Sequence, residues 1–159
     1  MEKILVAFFS RTGEQYGVGE ITEGNTKKLA EIIAEKTGGD LFEIKVVEDN
    51  YPNRYTPLVQ FAQKEKQANA RPAIMGSVEN IGEYDKIFIG YPNWWADMPM
   101  PVYTFLDKYD LSGKKVYNFC THEGSGGVHR EDFALYGHIA QNDREQTEKK
   151  VEDWLKSLG

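Results

Sequence analysis

Cysteine is nearly absent: Cys120 stands alone among 159 residues, which excludes an internal disulfide framework. Long apolar runs are missing too. Ile4 to Phe9 is a six-residue apolar stretch with no secretory cleavage pattern after it, so the expectation is a soluble, cytoplasmic protein. Basic residues are the minority, 19 against 25 acidic, for a net charge of −6. That balance argues against nonspecific binding to nucleic acid or an anionic membrane and favours basic protein partners. No internal repeat, low-complexity tract or linker divides the chain.

Several catalytic signatures are lacking as well. No Gly-Lys-Ser/Thr closes a Walker loop and no three-glycine fingerprint lies between Phe9 and Thr26, which disfavours a nucleoside triphosphate. His122, Glu123 and Ser125 sit on one short stretch with no Gly-x-Ser-x-Gly elbow around them, so no catalytic triad is expected. His122, His129 and His138 lack the spacing of a zinc site, and no metal is expected. Without a Cys-x-x-Cys partner, Cys120 reads as a small packed hydrophobe.

Aromatic residues are plentiful: three Trp, nine Tyr and eight Phe, enough for one sizeable core and one domain over residues 1–159. Lys3 to Phe9 reads as a strand. A helix opens near Asn25-Thr26, since Leu29, Ile32 and Ile33 recur at helical spacing before Gly38-Gly39. Asp40 to Val47 alternates as a second strand at a sheet edge, and Thr56-Pro57 offers the cap of a helix running toward Arg71-Pro72. Asp85 to Gly90 is apolar on both faces, as in a covered parallel strand. Val102, Phe105, Leu106 and Tyr109 mark a third helix, Lys114 to Cys120 a fourth strand and Phe133 to Tyr136 a fifth. Asn142 and Glu145 form a capping box for a final amphipathic helix, whose charges from Asp143 to Glu152 make a solvated face. Alternating strands and helices predict a doubly wound α/β fold with a parallel five-stranded sheet in the order 2-1-3-4-5, its ligands at the carboxyl ends of the strands.

Three loops then meet at that edge. Ser10-Arg11-Thr12-Gly13 through Gly24-Asn25-Thr26 combines hydroxyls, glycines and a helix N-terminus, which together suit a phosphate without needing a lysine. Tyr91 to Met98 places Trp94 and Trp95 just past a buried strand, where they either cover the core or flank a planar ligand. Thr121 to Gly127 offers small residues and backbone groups suited to polar ring edges. A phosphorylated, planar, polar-edged cofactor satisfies all three.

On these motifs, in this order over most of the chain, the sequence resembles the flavodoxin family. The resemblance implies FMN as cofactor. It implies that Ser10, Arg11, Thr12, Asn25 and Thr26 hold the phosphate, and that Pro92, Asn93, Trp94 and Trp95 with Thr121, His122, Glu123, Gly124 and Ser125 flank the isoalloxazine. It implies an electron-transfer protein serving redox partner proteins; the alternative is an FMN-dependent NAD(P)H or quinone oxidoreductase, and a third reading is a binding module that has lost the cofactor. Tryptophan stacking and nearby carboxylates predict a lowered flavin potential.

The chain departs from the family pattern in three places. Eleven residues, Glu14 to Gly24, separate the two halves of the phosphate loop; they are expected to fold outward, because Glu14, Glu20 and Glu23 would repel a phosphate. Trp95-Ala96-Asp97 has alanine where many relatives have glycine, so a left-handed backbone at this turn is expected to cost about 1 kcal/mol. Between Cys120 and Phe133 there is no room for a full crossover helix, and the apolar surface that its loss exposes suggests a homodimer.

Overall fold

A computed structural model describes residues 2–159. Among the described residues there are seven strands: β1 (Ile4–Phe8), β2 (Gly13–Gln15), β3 (Gly19–Ile21), β4 (Asp40–Glu43), β5 (Lys86–Pro92), β6 (Lys115–His122) and β7 (Phe133–Tyr136). The helices are α1 (Asn25–Thr37), α2 (Tyr55–Gln67), α3 (Met100–Lys108), α4 (Gly137–Asn142) and α5 (Arg144–Ser157). The main sheet runs β4-β1-β5-β6-β7 with every neighbouring pair parallel. Counting only its own five strands, this is the expected order 2-1-3-4-5.

Alternation along the strands divides the core. Leu5, Ala7, Ile87, Ile89, Tyr91 and Cys120 point to one face, beneath Leu58 of α2 and Val102 and Phe105 of α3. Val6, Phe8, Phe88, Phe119 and Leu135 point to the other, beneath Leu29 and Ile33 of α1 and Val151 of α5. Both faces of the central strands are covered by helices, which is why those strands are apolar throughout. Cys120 is fully buried, and burial together with Asp132 pushes its thiol up to about 12, which suits packing and not redox chemistry.

No helix joins β6 to β7. The connection from Glu123 to Asp132 instead folds back on the sheet, and one buried carboxylate holds it. Asp132, its side chain 1% exposed, accepts N–H bonds from Val128 (3.0 Å) and His129 (3.1 Å) and the hydroxyl of Tyr91 (2.9 Å). Val128 packs on the core where a crossover helix would have lain. Val116 and Ala134 remain exposed on this part of the sheet.

Several boundaries differ from the sequence expectation. The second strand stops at Glu43, and Val46 makes only an isolated bridge to Ile74. Helix α2 begins at Tyr55, so Thr56 is not its cap; Arg54 holds the cap position without a side-chain bond. The final helix is capped by Asp143, which accepts the N–H of Gln146, because Asn142 already closes the short helix α4 that the sequence did not announce. No helix among the described residues is long and apolar enough to cross a membrane.

Candidate functional site

At the end of β1 the chain turns beside the start of α1. Ser10 Oγ accepts the N–H of Lys27 at 3.0 Å, and a Cβ on Gly24 would fall 1.9 Å from that oxygen, so only glycine fits there. The N–H groups of Ser10, Arg11, Thr12, Asn25 and Thr26 have no protein acceptor among the described residues. They form a ring of donors at a helix N-terminus, the arrangement that receives a phosphate. Arg11 bonds Asp49 at 2.8 Å and the carbonyl of Tyr51 at 3.3 Å, while its Nε is buried without a hydrogen-bond partner among the described residues. The Thr26 hydroxyl is buried against that of Thr121 at 2.7 Å, and Asn25 Oδ1 accepts from Gln141 at 2.8 Å. Thr12 is exposed.

The inserted segment does not fold outward. Residues 13–21 form the antiparallel β2–β3 hairpin, and its Gln15 and Tyr16 line the cleft beside the cradle. The acid side chains explain how this is tolerated. Glu14 Oε1 accepts the N–H of Tyr55 at 2.7 Å and pairs with Arg54, serving as the missing cap of α2, and the Tyr55 bond holds its carboxyl below the usual range. Glu20 and Glu23 are exposed. At the tip, a Cβ on Gly17 would lie 3.1 Å from Glu123 Oε2, so the hairpin spans from α2 to the loop after β6.

After β5, the chain makes a tight turn with Trp95 and Ala96 both at φ +58°. Alanine thus occupies the left-handed region despite its expected cost. The turn is held from every side: Trp94 and Asp97 exchange backbone bonds (3.0 and 3.1 Å), Ala96 N–H donates to Asn93 Oδ1 (3.0 Å), and Lys66 donates to the carbonyl of Trp95 (2.6 Å). Surrounding contacts that over-determine a backbone can carry roughly 1–3 kcal/mol of strain. Trp94 sits edge-on to Phe9 (5.3 Å between centroids) and packs near Tyr51, forming the floor of the cleft. Trp95 Nε1 donates to the carbonyl of Val59 at 2.8 Å, which pins its ring to α2.

The third loop is bound to its neighbours. Asn93 N–H donates to the carbonyl of Thr121 (2.9 Å) and Asn93 Nδ2 to that of Gly126 (2.9 Å), tying the second and third loops together. His122 Nδ1 accepts the N–H of Gly124 at 2.9 Å, so the neutral imidazole carries its proton on Nε2, and burial lowers its basicity. The Glu123 carboxylate turns to the backbone and ring of His138, its Oε2 2.7 Å from Nδ1. Asp97 accepts from Tyr103 and Met98 N–H. The carboxylates of Glu123 and Asp97 are therefore each held by neighbouring protein groups.

Pro92, Asn93, Trp94, Trp95, Thr121, His122, Glu123 and Ser125 stand around one cleft of about 440 Å³ that reaches Asn25 and so adjoins the cradle. Gly124 follows on the same loop. Sequence reasoning missed the opposite wall, Tyr16 with Tyr55, Leu58, Val59 and Ala62; the last four recur at three- to four-residue spacing on one side of α2. An N–H ring joined to an apolar slot fits a phosphate ester bearing a flat ring.

The sequence pattern described as Flavodoxin matches residues 3–156 of this chain. An inferred flavoprotein from Bacteroides eggerthii is 31% identical over 99% of this chain and 98% of its own, with a TM-score of 0.70. A second, from Bacteroides uniformis, is 25% identical over 98% of both chains with a TM-score of 0.73. A Lactobacillus acidophilus flavoprotein, solved in complex with FMN, is 28% identical over 83% of this chain and 81% of its own, with a TM-score of 0.65. No functionally curated protein matches.

Proposed function

The chain belongs to the flavodoxin family and binds FMN, and on that premise we propose that it is an electron-transfer protein passing electrons between redox partner proteins. When bound, FMN supplies the redox chemistry and the protein supplies position and surroundings. The donor ring at Ser10–Thr12 and Asn25–Thr26 takes the phosphate. Trp94 gives the ring a floor, and His122, held in one tautomer, has an Nε2–H donor for a polar edge.

One observation supports the choice of carrier over reductase: Glu123, the carboxylate that lines the cleft, is bonded to His138. It anchors a loop in place of exchanging protons with a substrate. The net charge of −6 favours partners with basic docking faces.

Stopped-flow mixing tests the proposal. The FMN-loaded protein should keep its visible absorbance with NADH or NADPH alone and bleach when a flavin-dependent reductase is added. Rapid bleaching by the nicotinamide alone would overturn the carrier role in favour of an NAD(P)H or quinone oxidoreductase.

A further inference from the structure

Among the described residues four aromatic side chains are exposed: Tyr16 (63%), Tyr136 (43%), Trp95 (42%) and Tyr55 (36%). All four stand at the same cleft. Tyr16, Tyr55 and Trp95 line it, and the Tyr136 ring lies 4.7 Å from that of His122, which does so too. The exposed aliphatic residues Leu41, Val47, Met75 and Val116 lie outside it. Clustered aromatic exposure at a concave site marks a surface that a ligand covers.

Trp94 is packed edge-on against Phe9 as floor, and Trp95, 42% exposed, is tied to α2 by its own N–H. Residues 121–125 contain no tyrosine or tryptophan. The most exposed of the four is on the inserted hairpin, where Tyr16 rests on Tyr55 with ring centroids 5.6 Å apart.

We propose that the β2–β3 hairpin is part of the cofactor site, and that Tyr16, braced by Tyr55, is a positioning residue whose ring forms a wall for the planar ring of FMN. The inference rests on the FMN-binding reading. The hairpin is oriented by contacts that need no ligand: Glu14 N–H donates to the carbonyl of Asn53 at 2.7 Å, the Glu14 carboxylate caps α2 at Tyr55, and Gly17 abuts Glu123. A wall set beforehand loses little freedom when the ring arrives, and tyrosine offers broad contact with few rotatable bonds. The insertion is thus a binding element.

The test is titration of the apoprotein with FMN and with riboflavin, followed by flavin fluorescence. Tyr16→Ala should raise the Kd for both ligands by the same factor, about 10-fold, because the wall touches the ring and not the phosphate. Tyr16→Phe should stay within about 2-fold of wild type, since it keeps the stacking surface. In the intact protein labelled at tyrosine, the Tyr16 ring resonances should shift on adding FMN; this readout does not require the alanine variant to fold. Unchanged affinity in Tyr16→Ala, or unshifted Tyr16 resonances, overturns the wall while leaving FMN binding intact. Failure of the wild type to bind FMN would overturn the underlying reading instead.

Discussion

The two faces of the main sheet are closed in different ways. On one, α1 and α5 lie over Val6, Phe8, Phe88 and Phe119, and the seal is side-chain packing. On the other, α2 and α3 cover Leu5, Ile87 and Ile89, but near β6 and β7 a loop stands in for a helix. That loop is fixed by hydrogen bonds converging on Asp132, and its first residues are those of the candidate site. The comparison teaches a division of labour. Apolar packing on the first face sets stability, whereas a polar knot on the second sets the shape of the cleft, so damage to each should differ in kind.

The largest expected effect is on the packed face. Phe88 is 2% exposed and lies between Tyr117 and Trp154; Phe88→Ala should destabilise by about 3–5 kcal/mol in urea melts. Asp132→Ala, on the second face, leaves two N–H groups and the Tyr91 hydroxyl without their acceptor and should destabilise by about 2–3 kcal/mol. Its signature is local: hydrogen exchange at Val128 and His129 should rise more than in α1. Equal acceleration in both places would dissolve the distinction between the faces.

Smaller effects sharpen it. Ala96→Gly relieves a left-handed alanine and should stabilise the protein by about 1 kcal/mol in thermal melts. Burial lowers the basicity of His122 from 6.5, so below pH 6.5 the unfolded chain takes a proton that the folded one refuses. Stability is therefore lost as pH falls from 6.5 toward the folded value. His122→Gln should flatten that part of the stability profile. Val116→Lys, at an exposed position on the uncovered part of the sheet, should change stability by less than about 0.5 kcal/mol; a larger loss, or a change in mass by light scattering, would show that this patch is covered in solution.

Much of the fold was legible because the relevant signals are local. Leu29, Ile32 and Ile33 announce α1, the two-sided apolar run announces β5, and simple counting from Cys120 to Phe133 reveals the absent crossover helix. The rest depends on distant partners. Gly13 to Ile21 has no strand pattern and pairs where it does because Asn53 and Tyr55 receive it. The pairing of Arg11 with Asp49, 38 residues away, has no local signal. The left-handed Ala96 is imposed by Asn93 and Lys66 against its own preference, and no single-residue propensity reports that.

The short link between β6 and β7 also bears on how the chain assembles. Parallel neighbours normally wait for a helix of their own to form and dock before they pair. Here only residues 123–132 intervene, and closing a loop of that size takes on the order of 10–100 ns. Its entropic penalty is correspondingly small. The edge of the sheet and the third loop can thus form together as one unit, ahead of the long-range pairing of β1 with β5.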